Sequence, residues 1–448
     1  MVFLCPLTST PSVTSKWSIM SHSTSAQNSL SSKATTPNAS QPAHTLGQKT
    51  PPAVFWLVVI AILLMASNMR SPIVALGAIA PVVQDALNIN ATHIGWLGAI
   101  PMLMFALGAL ISPAIGKRFG LENTLIAVLF VITAGIIMRS TWVSWHGFLV
   151  GTVLLSLAIG FANTLVAPVI KQRTPHNIAL VTGLFSLTMS VMAGIVSGLV
   201  YPLTERIGWQ WALGGWAILG IAAIIAWVIL RLRLGSSHKL PAAVMNSEQQ
   251  AQEDICIWKS ALAWQMAVFM GLQSLLFYTV AAFLPSIWIS KGLSEVEGGS
   301  MGSVFQFMAP IAIIGMTWLI RRGMQIQTVA IAATILNVIG LVGITYLSPH
   351  LAWLWTAIMG LGCASIFTLC IMLFSLRTYS PNQASKLSGM AQTVAYLVAF
   401  AGPFGAGWLH EATGGWDGPL LFILILTIIN LIIAWLASRP IMIDGKPA

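Results

Sequence analysis

Long apolar runs alternate with short polar breaks along most of the chain. Twelve of these runs are about 20 residues or longer, the length that a helix needs to cross the ~30 Å hydrocarbon core of a bilayer. The predicted helices span 53–84, 92–115, 121–140, 145–171, 178–202, 210–233, 259–289, 296–320, 326–347, 350–376, 383–409 and 417–438. We therefore predict an all-α polytopic membrane protein.

The polar breaks also divide the chain into expected domains. The longest break, 234–258, is a linker between a six-helix bundle over 51–233 and a second six-helix bundle over 259–438. Residues 1–50 hold 19 Ser or Thr, three Lys and no acidic residue, a composition typical of a disordered tail. Residues 439–448 form a second tail.

Composition supports a membrane protein and argues against a soluble domain. Hydrophobic residues make up 57% of the chain and charged residues 7%, whereas soluble domains carry about 25% charged residues. The four cysteines, at positions 5, 256, 363 and 370, form no C-x-x-C pair. The cysteines therefore indicate neither a zinc site nor a disulfide framework. We expect no metal and no cofactor.

Basic residues are distributed unequally between the two sides of the predicted helices. Seventeen Lys and Arg residues lie in the tails or in the loops on the same side as the tails, while Arg139, Arg206 and Lys291 lie on the other side. Because cytoplasmic loops of membrane proteins carry an excess of Lys and Arg, we expect both termini in the cytoplasm. This topology also explains the net charge of +10 without a nucleic-acid partner.

The two groups of helices repeat in sequence. Six positions recur in order in the second half, at an offset of 204 and then of 206 residues. The pairs are Pro81 and Pro285, Gly95 and Gly299, Lys117 and Arg321, Arg118 and Arg322, Pro175 and Pro381, and Gly183 and Gly389. Parallel six-helix repeats are typical of the major facilitator architecture. We therefore predict that fold, with twelve transmembrane helices in two six-helix pseudo-repeats.

Five stretches between the first and the last predicted helix carry a family resemblance. They are NMRSPIVALGAIAP, GFANTLVAPVIKQRTP, TGLFSLTMS, FMGLQSLLFYTVAAFLPSIWISKGLS and LSGMAQTVAYLVAFAGPFGAGWLHEATGGW. They resemble the cyanate/2-nitroimidazole transporter family of the bacterial major facilitator superfamily. The resemblance implies a secondary transporter of a small anion or a weakly acidic, nitrogen-containing solute, working by alternating access. We expect a monomer in the lipid bilayer of the bacterial inner membrane, with a small-molecule substrate.

One loop departs from the pattern of many major facilitator proteins. After the second predicted helix the chain reads PAIGKRFGLEN, with Gly116 where an aspartate is usual. An acidic residue follows at the start of the third helix, where the helix dipole favours an anion. We expect the charged residues of this loop and of its repeat to act in gating: Lys117, Arg118, Glu122, Arg321 and Arg322.

Arg70 lies near the middle of the first predicted helix, in the stretch ILLMASNMRSPIVALGAIAP. A charge at the centre of a transmembrane helix costs about 2.5–3.5 kcal/mol on insertion scales, so the guanidinium is expected to face a cavity or a partner. No Asp or Glu lies in the interior of any predicted helix, and acidic residues near the helices lie at helix ends: Asp85, Glu122, Glu205, Glu411 and Asp417. Two interpretations remain: the guanidinium binds an anionic or electron-rich substrate as a planar fork, or it bonds to backbone carbonyls and side-chain amides.

Other polar residues in the predicted helices are further candidates for the substrate site. Helix–helix packing is the alternative role for each of them, since amides link neighbouring helices in membranes. A hydroxyl stripe over Thr182, Ser186 and Ser190 is better explained by packing. The candidates are Asn163, Gln273, Tyr278, Gln306, Gln392 and Tyr396.

The main alternative function is a major facilitator exporter of drugs or metabolites, whose cavity would be larger and more aromatic. An enzyme is not expected, because an embedded hydrolase needs clustered nucleophile and base or metal ligands inside the helices. No such cluster is visible in the sequence.

Overall fold

A computed structural model describes residues 52–89, 91–234 and 255–447. Within these ranges, twelve helices are long and apolar enough to cross a membrane, which confirms the predicted all-α polytopic fold. They are α1 (Pro52–Ala78), α2 (Ala91–Phe119), α3 (Leu121–Thr141), α4 (Trp145–Arg173), α5 (Ile178–Ile207), α6 (Ala217–Leu234), α7 (Ala261–Ser290), α8 (Glu295–Arg321), α9 (Ile326–Tyr346), α10 (Ala352–Leu376), α11 (Pro381–Thr413) and α12 (Asp417–Ala437). The predicted tail over 1–50 and most of the predicted linker lie outside the described residues.

The first predicted helix, 53–84, is not continuous in the structure. Helix α1 ends at Ala78, and a separate short helix spans Ala80–Leu87. Pro81 falls in the first turn of this short helix, where its missing N–H leaves no hydrogen bond unmade. A second short helix, Trp209–Gly214, precedes α6.

Four of the long helices have a serine at the N-cap position. Each serine hydroxyl accepts a backbone N–H of the first turn at 3.2–3.4 Å, which satisfies a donor that has no partner inside the helix. The four residues are Ser144, Ser260, Ser294 and Ser380. These caps fix where α4, α7, α8 and α11 start.

Helix packing repeats between the first six and the second six helices. Helix α1 packs against α5 and α6, as α7 packs against α11 and α12. Helices α2 and α3 pack against α4, as α8 and α9 pack against α10. The two halves meet where α2 crosses α11 and where α5 crosses α8, and these two crossings are also equivalent.

The repeated glycines of the sequence lie at these two crossings. A Cβ built on Gly389 would collide with Pro113 of α2, and one built on Gly183 would collide with Thr317 of α8. Pro113 and Thr317 are themselves 204 residues apart in the sequence. The sequence repeat therefore marks two places where the halves approach each other through a residue without a side chain.

The segment after α12, which was predicted as a tail, packs against the bundle. Ser260 donates from its hydroxyl to the carbonyl of Ile443 at 2.8 Å, and Tyr379 donates to the carboxylate of Asp444 at 3.1 Å. Burial, together with the hydrogen bond and negative charge of Asp444, raises the pKa of the Tyr379 phenol. The end of the chain is thus tied to the same end of the bundle at which α1 begins.

Candidate functional site

A cavity lies between the two halves, near the middle of the helices that line it. Its walls come from α1, α2, α4 and α5 of the first half and from α7, α8, α10 and α11 of the second. Its wider part encloses about 190 Å³, and a narrower extension encloses about 30 Å³. Both parts are lined by Arg70, Met189, Phe277, Tyr278, Gln306, Phe367 and Tyr396.

Arg70 reaches this cavity from α1 and is partly exposed. Its guanidinium carbon lies 5.0 Å from the ring centre of Phe277 and 5.5 Å from that of Phe367, which are cation–π distances. The part of the chain that the structure describes gives it no hydrogen bond and no carboxylate within 4 Å. Its N–H groups are therefore available to a ligand in the cavity.

The polar neighbours of Arg70 on α1 are not available in the same way. Ser67, Asn68 and Ser71 donate to carbonyl oxygens one turn earlier in the same helix, at 3.0, 2.8 and 2.5 Å. Short polar side chains inside a helix commonly bond to the backbone in this manner. Of the four polar residues in this stretch, Arg70 alone extends beyond its own helix into the cavity.

The structure brings most of the predicted site residues together around Arg70. Gln273, Tyr278, Gln306 and Tyr396 line the cavity, and Asn163 lines its wider part. Gln306 is exposed, whereas Gln273, Asn163 and Tyr396 are buried. The sequence prediction of a polar cluster from several helices is thus consistent with the geometry, and the binding role of each residue stays a prediction.

Gln392 is not part of the cavity lining, and its side chain joins the two halves. Its side-chain amide donates to the backbone carbonyl of Asn163 at 3.0 Å and to the hydroxyl of Ser388 at 2.9 Å. The Tyr396 hydroxyl donates to the Gln392 carbonyl oxygen at 3.4 Å. The amide therefore links α11 to α4 next to Asn163 and Tyr396, which line the cavity.

Gln273 is tied to its neighbours within the second half. Its amide donates to the carbonyl of Cys363 at 3.2 Å, and its side-chain oxygen accepts from the amide of Asn337 at 2.9 Å. Gln273 is 2% exposed. These contacts connect α7, α9 and α10, so the helix-linking role is realised while the residue still borders the cavity.

Sequence reasoning missed the aromatic walls of the site. Phe277 and Phe367 lie against the guanidinium, and Phe105 and Phe305 complete the apolar lining. Phe277 follows Gln273 by four residues and so shares its helix face, which is a signal that could have identified it. Phe367 carries no comparable signal, because phenylalanine is common throughout the apolar runs.

The cavity is closed toward the end of the bundle at which α1 begins and α12 ends, which we call the terminal face. Lys171, in the last turn of α4, donates to the carbonyl oxygens of Ser375, at 2.7 Å, and of Thr378. The Ser375 hydroxyl donates in return to the carbonyl of Ala167 at 2.9 Å. These bonds join the ends of α4 and α10, and with the two glycine crossings they bring the halves together at this face.

Toward the other end of the bundle, which we call the opposite face, the cavity is open. Gly98, Ala281 and Gln306 line the cavity and are exposed. A Cβ built on Gly98, which lines the cavity, would meet nothing within 4 Å. A solute can therefore reach Arg70 from the opposite face in this conformation.

The five residues predicted to act in gating lie at the terminal face. Lys117, Arg118, Arg321 and Arg322 are exposed, and Glu122 is buried and paired with Arg173 within the first half. Within the described ranges, none of the five makes a hydrogen bond or an ion pair with the other half. Their gating role stays a prediction, and the halves are bridged here by the side chains of Lys171 and Ser375.

Comparisons with known proteins agree with this architecture. The profile of the Major Facilitator Superfamily matches residues 55–403. The chain is 32% identical to the 2-nitroimidazole transporter of Escherichia coli (strain K12), over 86% of this chain and 95% of that protein. It is 24% identical to the cyanate transport protein of the same organism, over 84% of this chain and 96% of that protein. These matches confirm the family resemblance found in the sequence.

A solved structure gives the same result for the fold. The chain is similar to a proton:xylose symporter with a TM-score of 0.71, over 88% of this chain and 98% of that chain. The two sequences are 11% identical, so the similarity concerns the fold alone.

Proposed function

The chain belongs to the Major Facilitator Superfamily, and from this premise we propose that it carries a small anion or a weakly acidic, nitrogen-containing solute across the bacterial inner membrane. Two relatives that span its length transport such solutes by name, 2-nitroimidazole and cyanate. The observation that carries the proposal is the position of Arg70, whose guanidinium faces an open cavity and has no carboxylate partner in the described chain.

An unpaired guanidinium at this depth favours a negatively charged or electron-rich guest. Arginine presents several N–H donors in one plane, a geometry that matches two neighbouring oxygen atoms. Because the site is partly shielded from water, each such hydrogen bond is stronger than it would be at a fully exposed surface. A solute with a carboxylate, nitro or similar group would offset the cost of keeping Arg70 inside the membrane.

The shape of the cavity narrows this class of solutes. One water molecule takes up about 30 Å³ in the liquid, so a cavity of about 190 Å³ suits a ring-sized solute better than a triatomic ion. The aromatic rings of Phe277, Tyr278, Phe367 and Tyr396 favour a flat, conjugated guest. We infer that the preferred substrate is a planar ring bearing a pair of adjacent oxygen atoms.

The proposed mechanism is alternating access of the Arg70 cavity. The excess of basic residues at the terminal face supports a cytoplasmic location for that face and for both termini. In the described conformation the cavity then faces the periplasm, and the Lys171 bonds close the cytoplasmic end. Rocking of the halves would break those bonds and close the opposite face instead.

Proton coupling is expected to depend on the solute rather than on a protein carboxylate. Within the described ranges the cavity is lined by neither Asp nor Glu. A weakly acidic solute can release its proton to water and bind to Arg70 in its anionic form. The pH dependence of transport should therefore follow the pKa of the solute.

Uptake into proteoliposomes tests this function. We expect accelerated uptake of nitroimidazoles and flat carboxylates, and slower uptake of cyanate and nitrite, relative to protein-free liposomes. Uptake that equals that of protein-free liposomes for every solute of this panel would contradict the proposed substrate class. A faster rate for cyanate than for any ring compound would contradict the size argument alone.

Export of larger aromatic metabolites is a second candidate, favoured by the aromatic lining of the cavity. Phe105 and Phe305 add to the four rings near Arg70, so six aromatic side chains border the site. Counterflow of the same solute in inverted and right-side-out vesicles distinguishes the two directions. Transport only in inverted vesicles would favour export.

A further inference from the structure

A groove on the surface of the bundle lies between α5 and α8 at the terminal face. It encloses about 400 Å³ and has mostly apolar walls. Leu180 and Leu184 of α5 line one wall, and Ile313 and Ile314 of α8 line the other. Ile314 is 57% exposed, so in a membrane the groove is open to lipid.

The groove ends at a pair of arginines. Arg321 and Arg322 line its end at the terminal face and are both exposed. The guanidinium of Arg322 lies over the ring of Trp318, 4.1 Å from the ring centre. The described residues provide neither arginine with a carboxylate within 4 Å. The groove thus ends at two unpaired cations beside a tryptophan. Tryptophan and basic residues are typical of the membrane–water interface.

The depth of the groove matches one leaflet of a bilayer. Along α8, the nine-residue step from Ile313 to Arg322 corresponds to about 14 Å at 1.5 Å per residue. Half of the hydrocarbon core is about 15 Å. The arginines therefore lie at the level of lipid headgroups when the isoleucines lie at the level of acyl chains.

We propose that this groove binds one anionic phospholipid of the leaflet at the terminal face. The acyl chain lies against Leu180, Leu184 and Ile313, and the phosphate accepts hydrogen bonds from Arg321 and Arg322. Charged headgroups bind basic clusters at helix ends through both charge and hydrogen bonds. Since α5 and α8 belong to different halves, a bound lipid contacts both halves and stabilises the conformation in which the terminal face is closed.

The other crossing of the two halves provides a matched control. Lys117 and Arg118 of α2 occupy the positions that correspond to Arg321 and Arg322, and they are also exposed. At that crossing, however, α2 packs more extensively on α11 than α8 packs on α5. This crossing therefore carries two basic residues at equivalent positions, but its two helices are packed more closely together.

Native mass spectrometry of the full-length protein tests the lipid site. The purified protein is titrated with phosphatidylglycerol and with phosphatidylcholine of the same acyl chains. We expect retention of one phosphatidylglycerol and little phosphatidylcholine. Combining Arg321→Gln with Arg322→Gln should weaken phosphatidylglycerol binding about 30-fold, which corresponds to about 1 kcal/mol for each basic residue.

Two controls make the test decisive. Combining Lys117→Gln with Arg118→Gln should leave phosphatidylglycerol binding unchanged. Glycerol 3-phosphate, which has the phosphate but no acyl chain, should not be retained. Equal retention of the two lipids, an equal loss in the Lys117 and Arg118 variant, or retention of glycerol 3-phosphate at similar concentrations would each overturn the proposal. None of these readouts depends on the transported solute.

Discussion

Arg70 and Arg139 are arginines of the first half whose surroundings differ sharply. Arg139, in the last turn of α3, is 1% exposed, and its Nη2 donates to the carbonyl oxygen of Pro72 at 2.9 Å. Arg70 lies two residues before Pro72 on α1, but it is partly exposed and borders the cavity. Its guanidinium makes no hydrogen bond within the described chain. One cation is thus buried and bonded to the backbone of α1, whereas the other extends from α1 into the cavity.

The comparison shows what separates a packing arginine from a candidate ligand-binding one. Both guanidinium groups lie over aromatic rings, Arg139 over Phe148 at 5.3 Å and Arg70 over Phe277 at 5.0 Å. The ring contact is thus common to both and indicates neither role. What differs is the use of the N–H groups: Arg139 links α3 to the backbone of α1, whereas Arg70 directs its donors into space that a solute can enter.

The largest effect is expected for Arg70→Ala. Removing one partner of a charge-assisted contact in a shielded site costs about 2–5 kcal/mol, so transport should fall by about 30-fold or more. Stability should stay unchanged or rise, because an unpaired charge leaves the membrane interior. Initial uptake rates and the thermal unfolding midpoint are measured on the same preparation. A fall of the unfolding midpoint as large as that of Arg139→Ala would show that Arg70 is a packing residue as well.

Arg139→Ala should give the reverse result. The substitution leaves a cavity in place of a fully buried side chain and removes its hydrogen bond to the Pro72 carbonyl. We expect this loss of packing to outweigh the relief of removing Nε and Nη1, which are buried without partners among the described residues. The unfolding midpoint should fall clearly, while the half-saturation concentration of the protein that remains folded should not change. An altered half-saturation concentration in folded Arg139→Ala would place Arg139 in the substrate site.

Some parts of the fold and of the candidate site could be predicted from the sequence, and others could not. The twelve helices could be predicted because the bilayer fixes the length of each apolar run, and Arg70 could be identified because no acidic residue lies in the interior of those runs. Phe367 could not be connected to Arg70, since only the assembly of the two halves around the cavity brings these residues of α10 and α1 together. Lys171 looked like any basic residue of a cytoplasmic loop. Its partners are backbone carbonyl oxygens, which every residue carries and which leave no pattern in a sequence.

The position of Arg139 shows the same limit. The sequence placed it among the three basic residues at the opposite face, and it does lie in the last turn of α3. Its complete burial depends on the Pro72 carbonyl and on Phe148, which belong to other helices. Hydrophobic periodicity places a residue along the membrane normal more reliably than it decides between solvent and protein surroundings.

A smaller effect is expected from the aromatic rings. Phe367→Leu removes a cation–π contact worth about 0.5–1 kcal/mol and one stacking surface for a flat solute. The half-saturation concentration for uptake should rise by about two- to fivefold with little change in stability. Phe148→Leu, under Arg139, is the matched control: it should lower the unfolding midpoint and leave the half-saturation concentration unchanged. The same shift of the half-saturation concentration in both variants would remove the distinction between the two arginines.

The most direct test of the central claim is the binding of a flat anion to purified wild-type protein and to Arg70→Lys. Lysine keeps the positive charge but lacks the planar fork, so it cannot hold two oxygen atoms as arginine does. Isothermal titration with benzoate and with 2-nitroimidazole should give a dissociation constant about tenfold or more higher for Arg70→Lys than for wild type. Arg139→Lys should bind the same ligands as tightly as wild type. Equal affinities of wild type and Arg70→Lys would contradict the proposal that Arg70 holds the solute.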